Sequence, residues 1–285
     1  MSNEKHTVRT IQEMKDRGEI ITMLTAYDYP VAKQINDAGI DMILVGDSAA
    51  MVVHGHPNTL TATMDMMVLH CAAVARACTR TMVIADMPFG SFQYGIEETM
   101  RNAARFVTEA KVDGVKFEAT PNHIEKTKAI VQMGIPVVGH VGLHPQAVGV
   151  LGGLKAQGRT IETARKVVTE ALALQEAGAF AIIFEAVPAK LATYVTKKLR
   201  IPTISIGGGP GCSGQLLVTY DVLGMFDTFT PKFAKKFANL NKLMAETFAQ
   251  YRDEARSGQF PGEEHVYGVS DEVLFEMEKE FGKAD

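Results

Sequence analysis

The sequence predicts an α/β fold of the (β/α)8, or TIM-barrel, type. Three observations carry that prediction. Short apolar runs alternate with stretches of helical periodicity, the pattern of a parallel sheet wrapped by helices. Five of these runs end in a polar group: 41–48 in Asp47 and Ser48, 82–86 in Asp86, 114–118 in Glu118, 137–140 in His140 and 181–185 in Glu185. Barrels of this kind carry their chemistry at the carboxyl ends of the strands and often run to about 250 residues, which suits a 285-residue chain read as one domain with an N-terminal helix and a C-terminal helical extension. An open doubly wound sheet is the alternative, but no G-x-G-x-x-G follows the first strand.

Taken in order, residues 10–17 predict a short helix, with Thr10 and Glu13 as a capping box and Gly18 just past its end. Residues 21–26 are the first strand and 30–38 the next helix. The second strand runs to Asp47. A long connection holding His54, Gly55, His56 and Pro57 leads to a helix over 65–76. The third strand ends at Asp86, a helix covers 96–110, and the fourth strand ends at Glu118. Thr120 and Pro121 predict the start of a helix that stops at Gly134. The fifth strand ends at His140, and a glycine-rich loop covers 142–158. A helix over 160–177, the sixth strand to Glu185, a helix over 189–199 and the seventh strand over 202–206 follow. The eighth strand is placed at 216–220. Phe229, Phe233, Phe237, Leu240 and Phe248 stand at helical spacing and predict one long closing helix. Residues 258–285 read as a polar, acidic tail.

Composition narrows the function. Hydrophobic residues make up 46% of the chain, enough for a large core, and the net charge of −4 without a basic stripe argues against nucleic acid as the main partner. No apolar run is long enough for a membrane span. The opening Met1-Ser-Asn-Glu-Lys-His6 contains an acid and no apolar region, so no targeting peptide is expected. Cys71, Cys78 and Cys212 form an odd set without a C-x-x-C pair, which points to a reducing, cytoplasmic setting and to core packing for Cys71 and Cys78.

Asp47, Asp86 and Glu118 end three successive strands, which in a barrel are neighbours at one mouth. Like charges raise one another's pKa, so three carboxylates need compensation. A hard divalent cation supplies it, and oxygen-only ligands with positions left for water or substrate suit Mg2+ better than zinc. Each acid alone could instead cap the helix that follows it. Lys116 shares the inward face with Glu118 by period-two alternation; it suits a substrate anion or a salt bridge to Asp86 or Glu118. Apolar neighbours around Glu185 should raise its pKa toward the range of a general base, with a structural role as the alternative. His140 is expected to orient another group. His54, His56, His123 and His144 show no zinc spacing and read as loop or surface residues. The 142–158 loop suits a mobile lid, and 207–211 an anion cradle; neither is specific alone.

Taken together these segments resemble the ketopantoate hydroxymethyltransferase family. The resemblance rests on Thr25–Tyr29, Ala38–Asp41, Val45–Ser48, Ala85–Phe89, Val115–Glu118, Gly139–Leu143 with Pro145 and Gln146, Gly152–Lys155 with Gln157 and Gly158, Phe184–Pro188, and Phe260, Pro261, Glu264 and His265, all in one order along nearly the whole chain. It implies a (β/α)8 enzyme, cytoplasmic and homo-oligomeric, commonly decameric. Such an enzyme uses Mg2+ to move a hydroxymethyl unit from 5,10-methylenetetrahydrofolate to 3-methyl-2-oxobutanoate, through an enolate, on the way to pantothenate and coenzyme A. By motif it places the metal at Asp47, Asp86 and Glu118. The 2-oxoacid falls at Asp47, Ser48, Asp86 and Lys116, and the proton acceptor at Glu185. The sequence departs from the family pattern at Ala49, Ala50, His56–Asn58, Ala119, Thr120, His144 and Ser213. These positions bear on the folate side and loop closure rather than on the metal, lysine or base. Isocitrate lyase and phosphoenolpyruvate mutase are similar barrels, but the chain lacks a reactive cysteine loop or a phosphonate site. A barrel kept only for binding or assembly is a further alternative, against which the retention of every proposed catalytic group speaks.

Overall fold

Strand parity decides which side chains enter the barrel. A computed structural model describes residues 4–118, 123–147, 149, 156–226 and 230–284. In it β1 (Ile21–Thr25), β2 (Met42–Val45), β3 (Met82–Asp86), β4 (Gly114–Lys116), β5 (Val137–Gly142), β6 (Ala181–Glu185), β7 (Thr203–Ile206) and β8 (Gly214–Leu217) form a closed parallel barrel in chain order. Successive side chains on a strand point to opposite faces. Met82 and Ile84 therefore join the inner cluster, while Val83 and Ala85 join the outer layer under the helices. The same parity sends Ala181 and Ile183 inward and Ile182 and Phe184 outward. Continued toward the carboxyl ends, it carries Asp86, Lys116, Glu118, His140 and Glu185 into the interior.

Helices α1 (Val8–Asp16), α2 (Tyr29–Asp37), α3 (Ala49–Val52), α4 (Met64–Ala77), α5 (Ile96–Thr108), α6 (Ile124–Gln132), α7 (Ile161–Glu176), α8 (Ala189–Lys198) and α9 (Thr219–Leu223) belong with the barrel. The capping box of α1 is Thr7 with Thr10, three residues earlier than predicted, because Thr7 has the extended backbone and its hydroxyl accepts from the Thr10 N–H. Ile11 and Met14 of that helix pack on the inner cluster with Ile21, Met42 and Ile204. The predicted 160–177 helix begins at Ile161, with Thr160 as its cap.

Several boundaries differ from the sequence reading. Strand β5 runs two residues past His140, and β8 begins at Gly214 rather than 216. The short α3 and a 3-10 turn at Thr59–Thr61 break the long connection after β2. The aromatic run does not form one helix: α10 (Leu240–Ser257) begins only at Leu240, and Phe233 and Phe237 precede it. Phe233 instead packs its ring against Gly207 and the inner cluster. The tail contains α11 (Asp271–Phe281). The predicted cap at Thr120 and Pro121, the neighbouring Ala119, Gly152–Lys155 of the glycine-rich loop, and Phe229 lie outside the described residues.

The chain divides into two compact units, 1–237 with the barrel and 238–285 with α10 and α11. Neither of these last two helices buries a residue, and Leu243, Phe248, Tyr251, Phe275 and Phe281 are exposed. No helix among the described residues is long and apolar enough to cross a membrane.

Candidate active site

The polar strand ends converge on one cavity of about 190 Å³, lined in part by Asp47, Ser48, Asp86, Lys116, Glu118 and Glu185. Asp86, Lys116, Glu118 and Glu185 arrive on strands or just beyond them. Asp47 arrives differently: β2 stops at Val45, and the turn 46–48 swings the carboxylate inward as the N–H groups of Ala49 and Ala50 bond back to Gly46 and Asp47. Ser48 is held by Tyr27, whose hydroxyl lies 2.9 Å from Ser48 Oγ.

Lys116 and Asp86 are directly opposite in register on β4 and β3. Lys116 Nζ donates to Asp86 Oδ2 at 3.0 Å, and both side chains are buried. The Asp47 N–H also donates to Asp86 Oδ2, at 3.3 Å. Burial pushes Asp86 up to about 7; Lys116 opposes that shift and Asp47 adds to it. Burial would lower the Lys116 ammonium, but Asp86, Glu118, Asp47 and Glu185 overcome it and keep the lysine charged. Glu118 is also held well above the ordinary carboxylate range, chiefly by burial.

Glu185 is pushed up to about 8 by burial, against Lys116 and with help from Asp47 and Asp86. That outcome matches the expectation from its apolar neighbours. Its backbone is pinned by close-packed turns: Leu143 N–H donates to the Glu185 carbonyl, and Ala186 N–H to that of Ile206. Ala186 takes a positive φ of 48°, a strained choice for a non-glycine residue and one that recurs at functional sites. Opposite Glu185 in register stands Gly142 at φ 104°, where an added Cβ would sit 2.2 Å from the Glu185 carbonyl oxygen.

His140 is fully buried, with Nε2 3.4 Å from Glu185 Oε2 and neither ring nitrogen satisfied by a well-formed hydrogen bond. Burial, followed by Lys116 and His144, holds it far below the usual histidine range and therefore neutral. His144 corrects the sequence reading: it is buried, not a surface residue, just past the end of β5, with its ring edge to face with that of His140 at 5.0 Å. His54 and His56 are exposed as expected, and His123 is half-buried.

Asp47, Asp86 and Glu118, expected to share a metal, all line this cavity. Among the described residues no three His, Cys, Asp or Glu side chains stand close enough together to hold a metal ion. Donors within the protein already occupy several of the acids' oxygens. Lys116 takes one oxygen of Asp86. Gln146 Nε2 donates to Asp47 Oδ2 at 2.9 Å, and the Gln146 N–H points at both oxygens of Glu118, at 3.1 and 3.4 Å. Asp86 Oδ1 nevertheless remains buried without a partner. An oxygen-only set with one unpartnered carboxylate oxygen fits a hard cation that takes one or two protein carboxylates and completes its sphere with substrate and water, as Mg2+ does. Gln146 was absent from the sequence-derived site, since a single amide in a loop shows no periodicity to mark it.

A second cavity of about 610 Å³ adjoins the first at Glu185, Pro231 and Phe233, and its wall includes Val187, Ala189 and Gly209.

Comparison with known proteins agrees with this architecture. Residues 5–263 match the family model described as ketopantoate hydroxymethyltransferase. The chain is 50% identical over 277 residues to the 3-methyl-2-oxobutanoate hydroxymethyltransferase of Acetivibrio thermocellus, covering 97% of this chain and 98% of that one. It is 48% identical over 270 residues to the enzyme of the same name from Enterococcus faecalis, covering 95% and 98%. Among solved structures, phosphoenolpyruvate phosphomutase from Streptomyces platensis shares the fold with a TM-score of 0.63 at 14% identity, over 98% of this chain and all of that one.

Proposed function

The chain belongs to the ketopantoate hydroxymethyltransferase family and is an enzyme of that type; from that premise we propose that it transfers a hydroxymethyl group from 5,10-methylenetetrahydrofolate to C3 of 3-methyl-2-oxobutanoate, giving 2-dehydropantoate for pantothenate and coenzyme A synthesis. The observation that carries this reading is the shared cavity: one charged lysine, a set of acids and a raised-pKa glutamate line the same space of about 190 Å³. That volume suits a small 2-oxoacid. The adjoining 610 Å³ cavity, which shares Glu185, suits the bulkier one-carbon donor.

Asp47 and Asp86 would hold Mg2+, with Glu118 completing the acidic surround. When bound there, Mg2+ supplies Lewis-acid stabilisation of the negative charge that develops on the 2-oxo oxygen. Ser48, positioned by Tyr27, and Lys116 bind the substrate's oxygens. The Lys116 ammonium faces the developing oxyanion in a buried setting, where a fixed charge counts for more than in water. Glu185 takes the proton from C3, and His140, neutral behind it, orients that carboxylate. The C3 electron pair then forms the bond to the donor's methylene carbon. Of the two bonds from that carbon to folate nitrogens, one opens beforehand to leave an electrophilic iminium and the other breaks as water supplies the hydroxyl, so that both nitrogens end protonated.

The test is direct. Purified protein given 3-methyl-2-oxobutanoate, 5,10-methylenetetrahydrofolate and Mg2+ should form 2-dehydropantoate, and chelation should stop it. No product under those conditions contradicts the assignment. The exposed apolar side chains of α10 and α11 also support an assembly of identical chains.

A further inference from the structure

The geometry points to Gln146 as a positioning residue that sets the acids of this cavity for their cation. This rests on the metal reading above and goes beyond it in naming the residue that arranges the ligands. Gln146 is buried in the short 3-10 turn Pro145–Ala147, which follows β5. From there it contacts the ends of three other strands. Its Nε2 donates to Asp47 Oδ2 at 2.9 Å, beyond β2, and to the Met87 carbonyl at 3.1 Å, beyond β3. Its backbone N–H donates to the Glu118 carboxylate, beyond β4.

The chemistry of these partners fixes the amide. A carboxylate and a carbonyl accept hydrogen bonds and cannot donate, so both require the NH2 end of the side chain. The two amide hydrogens are thereby used, and Oε1 must face away; it is buried without a partner. A buried acceptor left without a donor is costly, so the orientation persists because the bonds to Asp47 and Met87 outweigh that cost. Gln146 is also neutral. It orients Asp47 and Glu118 and occupies one oxygen of Asp47 without cancelling the negative charge that a cation requires. A lysine in its place would compete with the cation; a leucine would leave Asp47 without this donor, though its backbone N–H would still reach Glu118. Removing a group that orients a metal ligand typically weakens metal binding by about 10- to 100-fold.

Gln146→Met keeps the length of the side chain and removes both donors. Gln146→Glu keeps the shape and sets a carboxylate oxygen against Asp47 Oδ2 and the Met87 carbonyl. Calorimetric titration of Mg2+ into the folded chain, without substrate, reads the effect apart from catalysis. Both variants should bind Mg2+ more weakly by roughly 10-fold or more, and with Mg2+ raised to saturation Gln146→Met should recover most of the native rate of C3 proton exchange. A double-mutant comparison separates positioning from general loosening of the fold. Because Gln146 acts through Asp47, Gln146→Met should cost much less Mg2+ affinity in an Asp47→Asn background than in the native one. Native Mg2+ affinity in Gln146→Met, or full additivity with Asp47→Asn, overturns the inference while leaving the metal reading standing. Failure of the native chain to bind Mg2+ at all overturns both.

Discussion

Lys116 shows how one side chain controls a whole site. It neutralises part of a cavity that otherwise gathers Asp47, Asp86, Glu118 and Glu185. Breaking a buried ion pair by removing one partner typically costs about 3–5 kcal/mol, because the other charge is left behind. Lys116→Met should therefore destabilise the protein strongly at pH 8. At pH 5 the loss should be much smaller, since Asp86, already raised to about 7 by burial with Lys116 opposing, then holds its proton and buries no charge. Urea unfolding at the two pH values checks this, and equal losses would contradict it. Glu185 carries the complementary prediction. Glu185→Gln preserves shape and removes the base, so binding of the oxoacid should remain while C3 proton exchange falls by at least about 100-fold, the usual scale for a general base.

At the scale of elements, the pairing of β5 with β6 places Gly142 against Glu185. Gly142→Ala would demand a left-handed backbone from an L-residue and drive Cβ into the Glu185 carbonyl. We expect a destabilisation of more than about 1 kcal/mol and a larger drop in turnover than in oxoacid affinity, because it is the glutamate's own strand that must shift. A variant with native stability and turnover would show that this close approach is not needed.

Elements were also where the sequence was most and least informative. The strands ending at Asp86 and Glu185 were legible to the residue, since an apolar run that stops at a carboxylate marks its own end. Parity then predicted that Lys116 and Glu118 would share the interior. The burial of His144 and Gln146 was not legible, because both sit in the irregular segment after β5, which leaves no periodic trace. The aromatic spacing over 229–248 misled for the opposite reason: it imitates a helix, yet Phe233 packs over Gly207 ahead of the helix that starts at Leu240.

For the molecule as a whole, the acids of the cavity set the pH dependence of stability. Asp86 and Glu185 both bind their protons more tightly folded than unfolded, with folded values of about 7 and about 8 against ordinary values of 3.8 and 4.5. As far as these two groups contribute, stability without a cation should therefore be greatest below about pH 4, fall as the pH rises from there, and level off above about 8. Mg2+ should oppose that fall, and its affinity should grow over the same range because its ligands must give up protons. Thermal unfolding at pH 5.5 and 8.5, with and without Mg2+, measures both effects; a larger Mg2+ stabilisation at the lower pH would contradict the account. The apolar surface on α10 and α11 leads us to expect a sedimenting species larger than one chain, and a monomer at micromolar concentration would remove that expectation.

The central claim is that one cavity binds a 2-oxoacid on a cation beside Lys116 and removes its C3 proton through Glu185. Exchange of the C3 hydrogen of 3-methyl-2-oxobutanoate with deuterated water, followed by NMR without any one-carbon donor, tests it most directly. The account predicts exchange that requires Mg2+, proceeds in the native chain and is nearly absent in Glu185→Gln. Exchange at the native rate in Glu185→Gln, or none in the native chain with Mg2+ present, would contradict it.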